Sequence, residues 1–226
     1  MTSVKLVRAD GSTYHYTPAR KPLTAQPRVG FVSRIAFAAA HVVVDPVRTL
    51  EPLTHPVIDW EATLAYREHL WSLGFGVAEA MDTAQRGMGL DWTLALDLIK
   101  RSTAAAKTRN ATVASGAGTD HLTAFRTHTL QDVTNAYLEQ CEAIEAAGGR
   151  IIMMASRALA AVARHADDYS AVYSKVLRQV KEPVILHWLG PMFDPALEGY
   201  WDQPRRPLRR KIASASSRRT KERSTG

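Results

Sequence analysis

The chain has 226 residues, enough for one domain with a sizeable core. Its formal charge of +7 belongs to one end: from residue 202 onward nine Lys and Arg stand against Asp202 and Glu222, while the preceding 201 residues balance 20 basic against 20 acidic groups. One cysteine, Cys141, excludes an internal disulfide and a cysteine-rich zinc site, and no apolar run approaches the ~18 residues of a membrane span.

The first residues lack the charged-then-apolar pattern of a signal peptide, so a cytoplasmic protein is expected. "VKLVRADGSTYHYTP" alternates around Asp10-Gly11 and predicts a small hairpin. "ARKPLTAQPR" reads as a polar connector. Short apolar runs then begin near Arg34, Gly76, Ala111, Ile151 and Pro183, roughly 32 to 42 residues apart. Each is apolar throughout, as a strand buried on both faces would be.

Amphipathic helices are predicted between these runs. The first follows an Asp59 cap, buries a face of Trp60, Leu64, Leu70 and Trp71, and ends at Gly74. The second starts at Asp91. The third carries Thr129 and Asp132 at capping-box spacing and a stripe of Val133, Tyr137, Cys141 and Ile144, with Gly148-Gly149 as its stop. The fourth runs from about Asp167 through Val172, Val176 and Val180 until Pro183 forbids more.

Strand, helix, strand at this spacing predicts parallel β-structure with right-handed crossovers. A five-stranded doubly wound sheet and a (β/α)8 barrel that stops partway both fit. The expected organisation is a hairpin and connector over 1–30, an α/β region over 31–201 and a disordered basic tail over 202–226.

In both architectures ligands bind at the C-terminal ends of the strands. The residues placed there are His41 and Asp45, then Asp82, Thr83, Gln85 and Arg86, then Asp120 and His121, then Ser156 and Arg157, then His187. "SGAGTDH" has a nucleotide-loop look, but His121 stands at the third glycine position. No His-x-His or His-x-x-x-His pair occurs at a strand end, and neither a metal nor a cofactor is expected. "MDTAQRGMGL" reads as a tight turn or as a functional loop with Asp, Thr and Arg together.

"DWEATLAYREHLWSLGFGVAEAMDTAQRGMGLDW" and "PVILHWLGPMFDPALEGYW" resemble the dihydrodipicolinate synthase / N-acetylneuraminate lyase superfamily, and more specifically an uncharacterised branch of it. The resemblance runs from about Phe31 to Trp201. It implies a (β/α)8 barrel of class I aldolase type, in which a lysine on the sixth strand forms a Schiff base with a 2-oxo acid. A Gly-Thr-Thr-Gly-Glu loop after the second strand binds the substrate carboxylate, and a tyrosine ending the fifth strand shuttles protons. By that resemblance Asp82 and Thr83 fall on the two threonines, Gln85 on the glutamate and His187 on the tyrosine. Thr83 matches in kind, and histidine can replace a proton shuttle near neutral pH.

The implied function is an aldolase or lyase acting on a 2-oxo acid or related small carbonyl compound. The catalytic candidates are Asp82, Thr83 and His187. The substrate-binding candidates are Gln85, Arg86, His41, Asp120 and His121. The sixth strand and its lysine are due just where the chain turns into "DQPRRPLRRKIASASSRRTKERSTG". The chain uses 21 Arg against 8 Lys and is rich in alanine, as a GC-rich gene would give. The expectation is therefore a frameshift or truncation that replaces the last three units and leaves this copy inactive. Two other readings stay open: an α/β binding module whose basic tail engages nucleic acid, and a metal-dependent barrel hydrolase or isomerase. A small carboxylate or carbonyl substrate is the expected partner. A membrane and nucleic acid are not, and open sheet edges would favour a homo-oligomer.

Overall fold

The computed structural model describes residues 3–17, 19, 35–51, 54–122 and 127–202. Most of the connector and all of the basic tail beyond Asp202 lie outside the described residues, so the expectations placed on them stand as expectations.

The hairpin forms as read. β1 (Val4–Val7) pairs antiparallel with β2 (Thr13–Tyr16), and Gly11, at φ +80°, closes the turn. Every apolar run in the α/β region yields a strand: β3 (Phe37–Ala39), β4 (Gly76–Glu79), β5 (Val113–Ala117), β6 (Arg150–Met153) and β7 (Ile185–Leu186). Their order in the sheet is the order in the chain, and every pairing is parallel. That order separates the two architectures. A doubly wound sheet reverses direction at a switch point and carries helices on both faces. A sequential order with right-handed crossovers puts every helix on one face and curls the sheet. The result is a curled five-stranded parallel sheet, consistent with an incomplete barrel.

The predicted caps hold the helices. α1 (Trp60–Ser72) starts at Asp59, whose carboxylate accepts from the Ala62 N–H. α2 (Trp92–Thr108) starts at Asp91 in the same way. α3 (Leu130–Ala146) has the complete Thr129–Asp132 capping box. The sequence reading missed a short α4 (Arg157–Val162), capped by Ser156, ahead of α5 (Ala166–Leu177). α1 departs from its predicted face. Its buried residues are Thr63, Arg67 and Leu70, so a hydroxyl and a guanidinium occupy positions where apolar spacing led one to expect only tryptophan and leucine.

Alternate strand residues separate two packing layers. On the helical side, residues such as Ile151, Met153 and Ala117 join Leu98, Ile99, Tyr137, Ile144 and Val172 in one large core. On the concave side Ala78, Ala114 and Ile152 pack with Met81, Met154 and Phe37. Five strands do not close a barrel, and an incomplete barrel is expected to leave this interior uncovered. Instead Ala78, Ala114, Ile152 and Met154 are at most 7% exposed, because small strand residues leave room for the two methionines and the phenylalanine to fold over them. Gly116 belongs to that fit: a Cβ there would lie 2.8 Å from the Ala80 carbonyl oxygen and 2.6 Å from Met154 Sδ.

Candidate active-site cleft

The turn after β4 is built from unusual backbone. Ala80 and Gln85 adopt positive φ, 52° and 62°, and Gly87 lies at 71°. Such conformations cost of order 1–3 kcal/mol for residues with a side chain, and persist where surrounding contacts over-determine them. Here the contacts converge on Arg86. Its side chain is 2% exposed, and all five of its N–H donors are used. Nε and Nη2 donate to the two oxygens of Asp120, each at 2.9 Å. Nη1 donates to the Ala80 and Gly116 carbonyls at 3.0 and 2.9 Å, and Nη2 also donates to Gln140 Oε1 at 2.5 Å. The guanidinium carbon lies 5.1 Å from the Trp92 ring centroid. The strained turn is thus tied to the ends of β4 and β5.

Gln140, fully buried on α3, extends the network. Arg86 and the Gly118 N–H can only donate, so Gln140 must present its oxygen to both. Its amide nitrogen then donates to Asp120 Oδ1 at 3.2 Å and to His121 Nδ1 at 2.7 Å. This leaves the His121 proton on Nε2, 3.3 Å from the Glu139 carboxylate. Burial pushes the Asp120 carboxyl upward, but the Arg86 charge and the hydrogen bonds from Arg86 and Gln140 outweigh it and hold the group below its ordinary range. The α3 stripe of Val133, Tyr137, Cys141 and Ile144 was legible as core. Gln140, beside Cys141, was not, because nothing local distinguishes a buried glutamine from a solvated one.

A cleft of about 780 Å³ opens over this network. Its walls come from the segments that follow β4, β5, β6 and β7. Asp82, Arg86, Asp120, Ser156 and Arg157, all expected at strand ends, line it together with Thr119. Met88, Leu122, Val162, Leu189 and Leu197 supply apolar wall. Thr119 and Ser156 are 7% and 2% exposed and share a hydrogen bond of 2.6 Å. Ser156 Oγ also accepts from the Leu159 N–H. Arg157 gives its Nε to Asp194, whose carboxyl is raised by burial and lowered further by Arg157 and by the Ala196 N–H, with a net shift downward.

The remaining sequence candidates stand outside the cleft lining. Thr83 and Gln85 are exposed on the β4 turn. His41 is exposed and takes part through its carbonyl, which accepts from Arg67. His121 sits behind Asp120 against Trp92, ring centroids 6.3 Å apart. His187 continues the β7 ladder, its N–H donating to Met153 at 2.9 Å, and its half-buried ring carries an Nδ1 that is out of contact with solvent and has no hydrogen-bond partner among the described residues.

A second ion pair was invisible in the sequence. Arg67 and Glu79 are both fully buried between α1 and β4. Arg67 donates to both Glu79 oxygens at 2.8 Å, and the Ala80 N–H and Ser102 hydroxyl add donors. It holds the strand end from which the β4 turn departs. Among the described residues no group of three His, Cys, Asp or Glu could hold a metal ion, and no helix is long and apolar enough to cross a membrane.

Comparison with known proteins gives three findings. No curated protein matches the sequence. Among solved structures, the chain is similar to a dihydrodipicolinate synthase from Agrobacterium tumefaciens str. C58, with 17% identity and a TM-score of 0.44 over 70% of this chain; the match spans 49% of that protein, so the chain corresponds to about half its length. The sequence matches the family described as "Protein of unknown function (DUF993)" over residues 4–214, and the chain belongs to that family.

Proposed function

We propose that the cleft binds a small carboxylate or carbonyl compound, a 2-oxo acid or close analogue, and that the chain is a partial (β/α)8-type barrel of the aldolase and lyase kind. The observation that carries this is the placement of the cleft. Every polar group lining it follows the C-terminal end of a parallel strand, in a sheet whose sequential order is that of a barrel. The likeness of the β4 turn and of the segment around His187 to the dihydrodipicolinate synthase / N-acetylneuraminate lyase superfamily supports the same reading.

In this proposal Asp82 contacts the ligand, while Arg86 and Asp120 act as positioning residues because their polar atoms are already engaged with each other. Thr83 and His187 remain the candidates for proton transfer on the same rim. Gln85, His41 and His121 frame it without lining it. No lysine among the described residues ends a strand of the parallel sheet: Lys5 is on β1, Lys100 and Lys107 are on α2, Lys175 is on α5 and Lys181 follows it. A lysine on a helix or hairpin does not present its amine to a carbonyl compound held at the strand ends. The described part of the chain is therefore proposed to bind such a ligand reversibly, without a Schiff base.

Isothermal calorimetry with pyruvate, paired with borohydride trapping and intact-mass analysis, tests this. Saturable binding with no stoichiometric adduct is the expected result. An adduct mapped to one of the lysines named above would overturn the non-covalent assignment, and absence of binding by pyruvate and by larger 2-oxo acids would overturn the ligand class.

A further inference from the structure

The β4 turn, which the family resemblance makes the carboxylate-binding loop, is poorly equipped for that task in this chain. Arg86 has no donor left to give. Asp82, which lines the cleft, has a carboxylate with no hydrogen-bond or ion-pair partner among the described residues, and it would repel an anion. Unused donors lie on the far side of the cleft. Thr119 and Ser156 hold two hydroxyl protons between them and spend one on their mutual hydrogen bond. Ser156 otherwise accepts, from Leu159, so whichever hydroxyl donates within the pair, the other has a proton to offer. Beside them Arg157, 64% exposed, commits only Nε to Asp194, and its two terminal amino groups have no partner among the described residues.

Resting on the cleft reading above, we infer that the anionic group of the ligand is held by Arg157 with the Thr119–Ser156 hydroxyl pair, at the ends of β5 and β6, and not by the β4 turn. The guanidinium supplies charge and a two-pronged donor matched to a carboxylate, and the buried hydroxyl supplies a further donor. Asp194, which lines the same cleft, competes for Arg157. β4 and β6 are separated by one strand, so their ends are about 10 Å apart. The unpartnered Asp82 then faces the other end of the ligand, which suits a hydroxyl or another hydrogen-bond donor. The ligand class that fits is a carboxylate of several carbons bearing a donor group remote from its acid.

The test titrates the full chain with 4-hydroxy-2-oxobutanoate, whose hydroxyl is the remote donor, and, separately, with its methyl ester. The acid is expected to bind more tightly than the ester. Arg157→Gln should weaken the acid about tenfold while moving the ester less than about twofold. Asp194→Asn, which keeps an acceptor for the Ala196 N–H and removes the competing charge, should tighten the acid. A merely structural role for the Arg157–Asp194 pair would make both variants act in the same direction. Acid affinity unchanged in both, or weakened alike in both, overturns the anion site and leaves the cleft reading standing. Failure of the unaltered chain to bind either compound overturns the cleft reading and the anion site together.

Discussion

Arg86 and Asp120 face each other as two parallel hydrogen bonds of 2.9 Å, one residue from the turn after β4 and the other from the turn after β5. Their side chains are 2% and 20% exposed. Removing the guanidinium strands the carboxylate and leaves the Ala80 and Gly116 carbonyls without their donor. Arg86→Ala should therefore cost about 3 kcal/mol or more in urea denaturation. Arg86→Lys should recover only part of this, since an ammonium has three donors against five.

The same pair makes stability depend on acid. The Asp120 carboxyl titrates below its ordinary value of 3.8 in the folded chain. A depressed carboxylate contributes stability that is fully present above the unfolded value and is lost as pH falls through the folded one. The urea midpoint of the unaltered chain should drop below about pH 4, and Asp120→Asn should flatten that part of the profile while lowering stability at neutral pH. An acid limb of the same size in both proteins would remove Asp120 from the explanation.

Arg67 and Glu79 set up a double-mutant cycle. Glu79→Met or Arg67→Met alone leaves an uncompensated buried charge and should cost about 3–5 kcal/mol. Replacing both with methionine should be markedly less destabilising than the sum of the single changes, because neither charge is then stranded. Additive losses would contradict a direct pairing.

How far the sequence carried follows from which signals are local. Caps at Asp59, Asp91 and Thr129 are written in a few adjacent residues and were legible, as were five apolar runs and the stripe ending at Ile144. Asp82, Arg86 and Asp120 could be placed at the cleft because parallel α/β folds put function at strand ends. The choice between an open sheet and a barrel could not be made, since strand order depends on contacts between segments tens of residues apart. The partners of Arg86 and Glu79 were hidden for the same reason: Gln140 lies 54 residues from Arg86, and Ser102 lies 23 from Glu79. α4 was missed because a helix of 6 residues is too short for periodicity to register.

Cys141 offers a probe of that core. Burial first, then Glu145 and Glu142, push its thiol up to about 12. Ellman's reagent at about pH 8 should leave the native chain unlabelled and react at the rate of unfolding once urea is added. Rapid native labelling would mean that α3 is not packed as described.

The outer edge of β7 predicts self-association. Among the described residues β7 pairs only with β6, and Ile185, Leu186, Trp188, Met192 and Phe193 are 42–99% exposed around it. Sedimentation velocity should show concentration-dependent assembly that Leu186→Lys and Phe193→Glu reduce. A monodisperse monomer across the concentration range would show that this edge does not drive association.

The central claim is that ligand binds at the C-terminal ends of the parallel strands. Amide chemical-shift mapping of the isotopically labelled full chain during titration with a 2-oxo acid tests it most directly. The account predicts saturable shifts concentrated at Asp82, Thr119, Asp120, Ser156 and Arg157, with the opposite, N-terminal ends of the strands around Gly76 and Thr112 unmoved. Shifts centred on that opposite end, or none at saturating ligand, would contradict it.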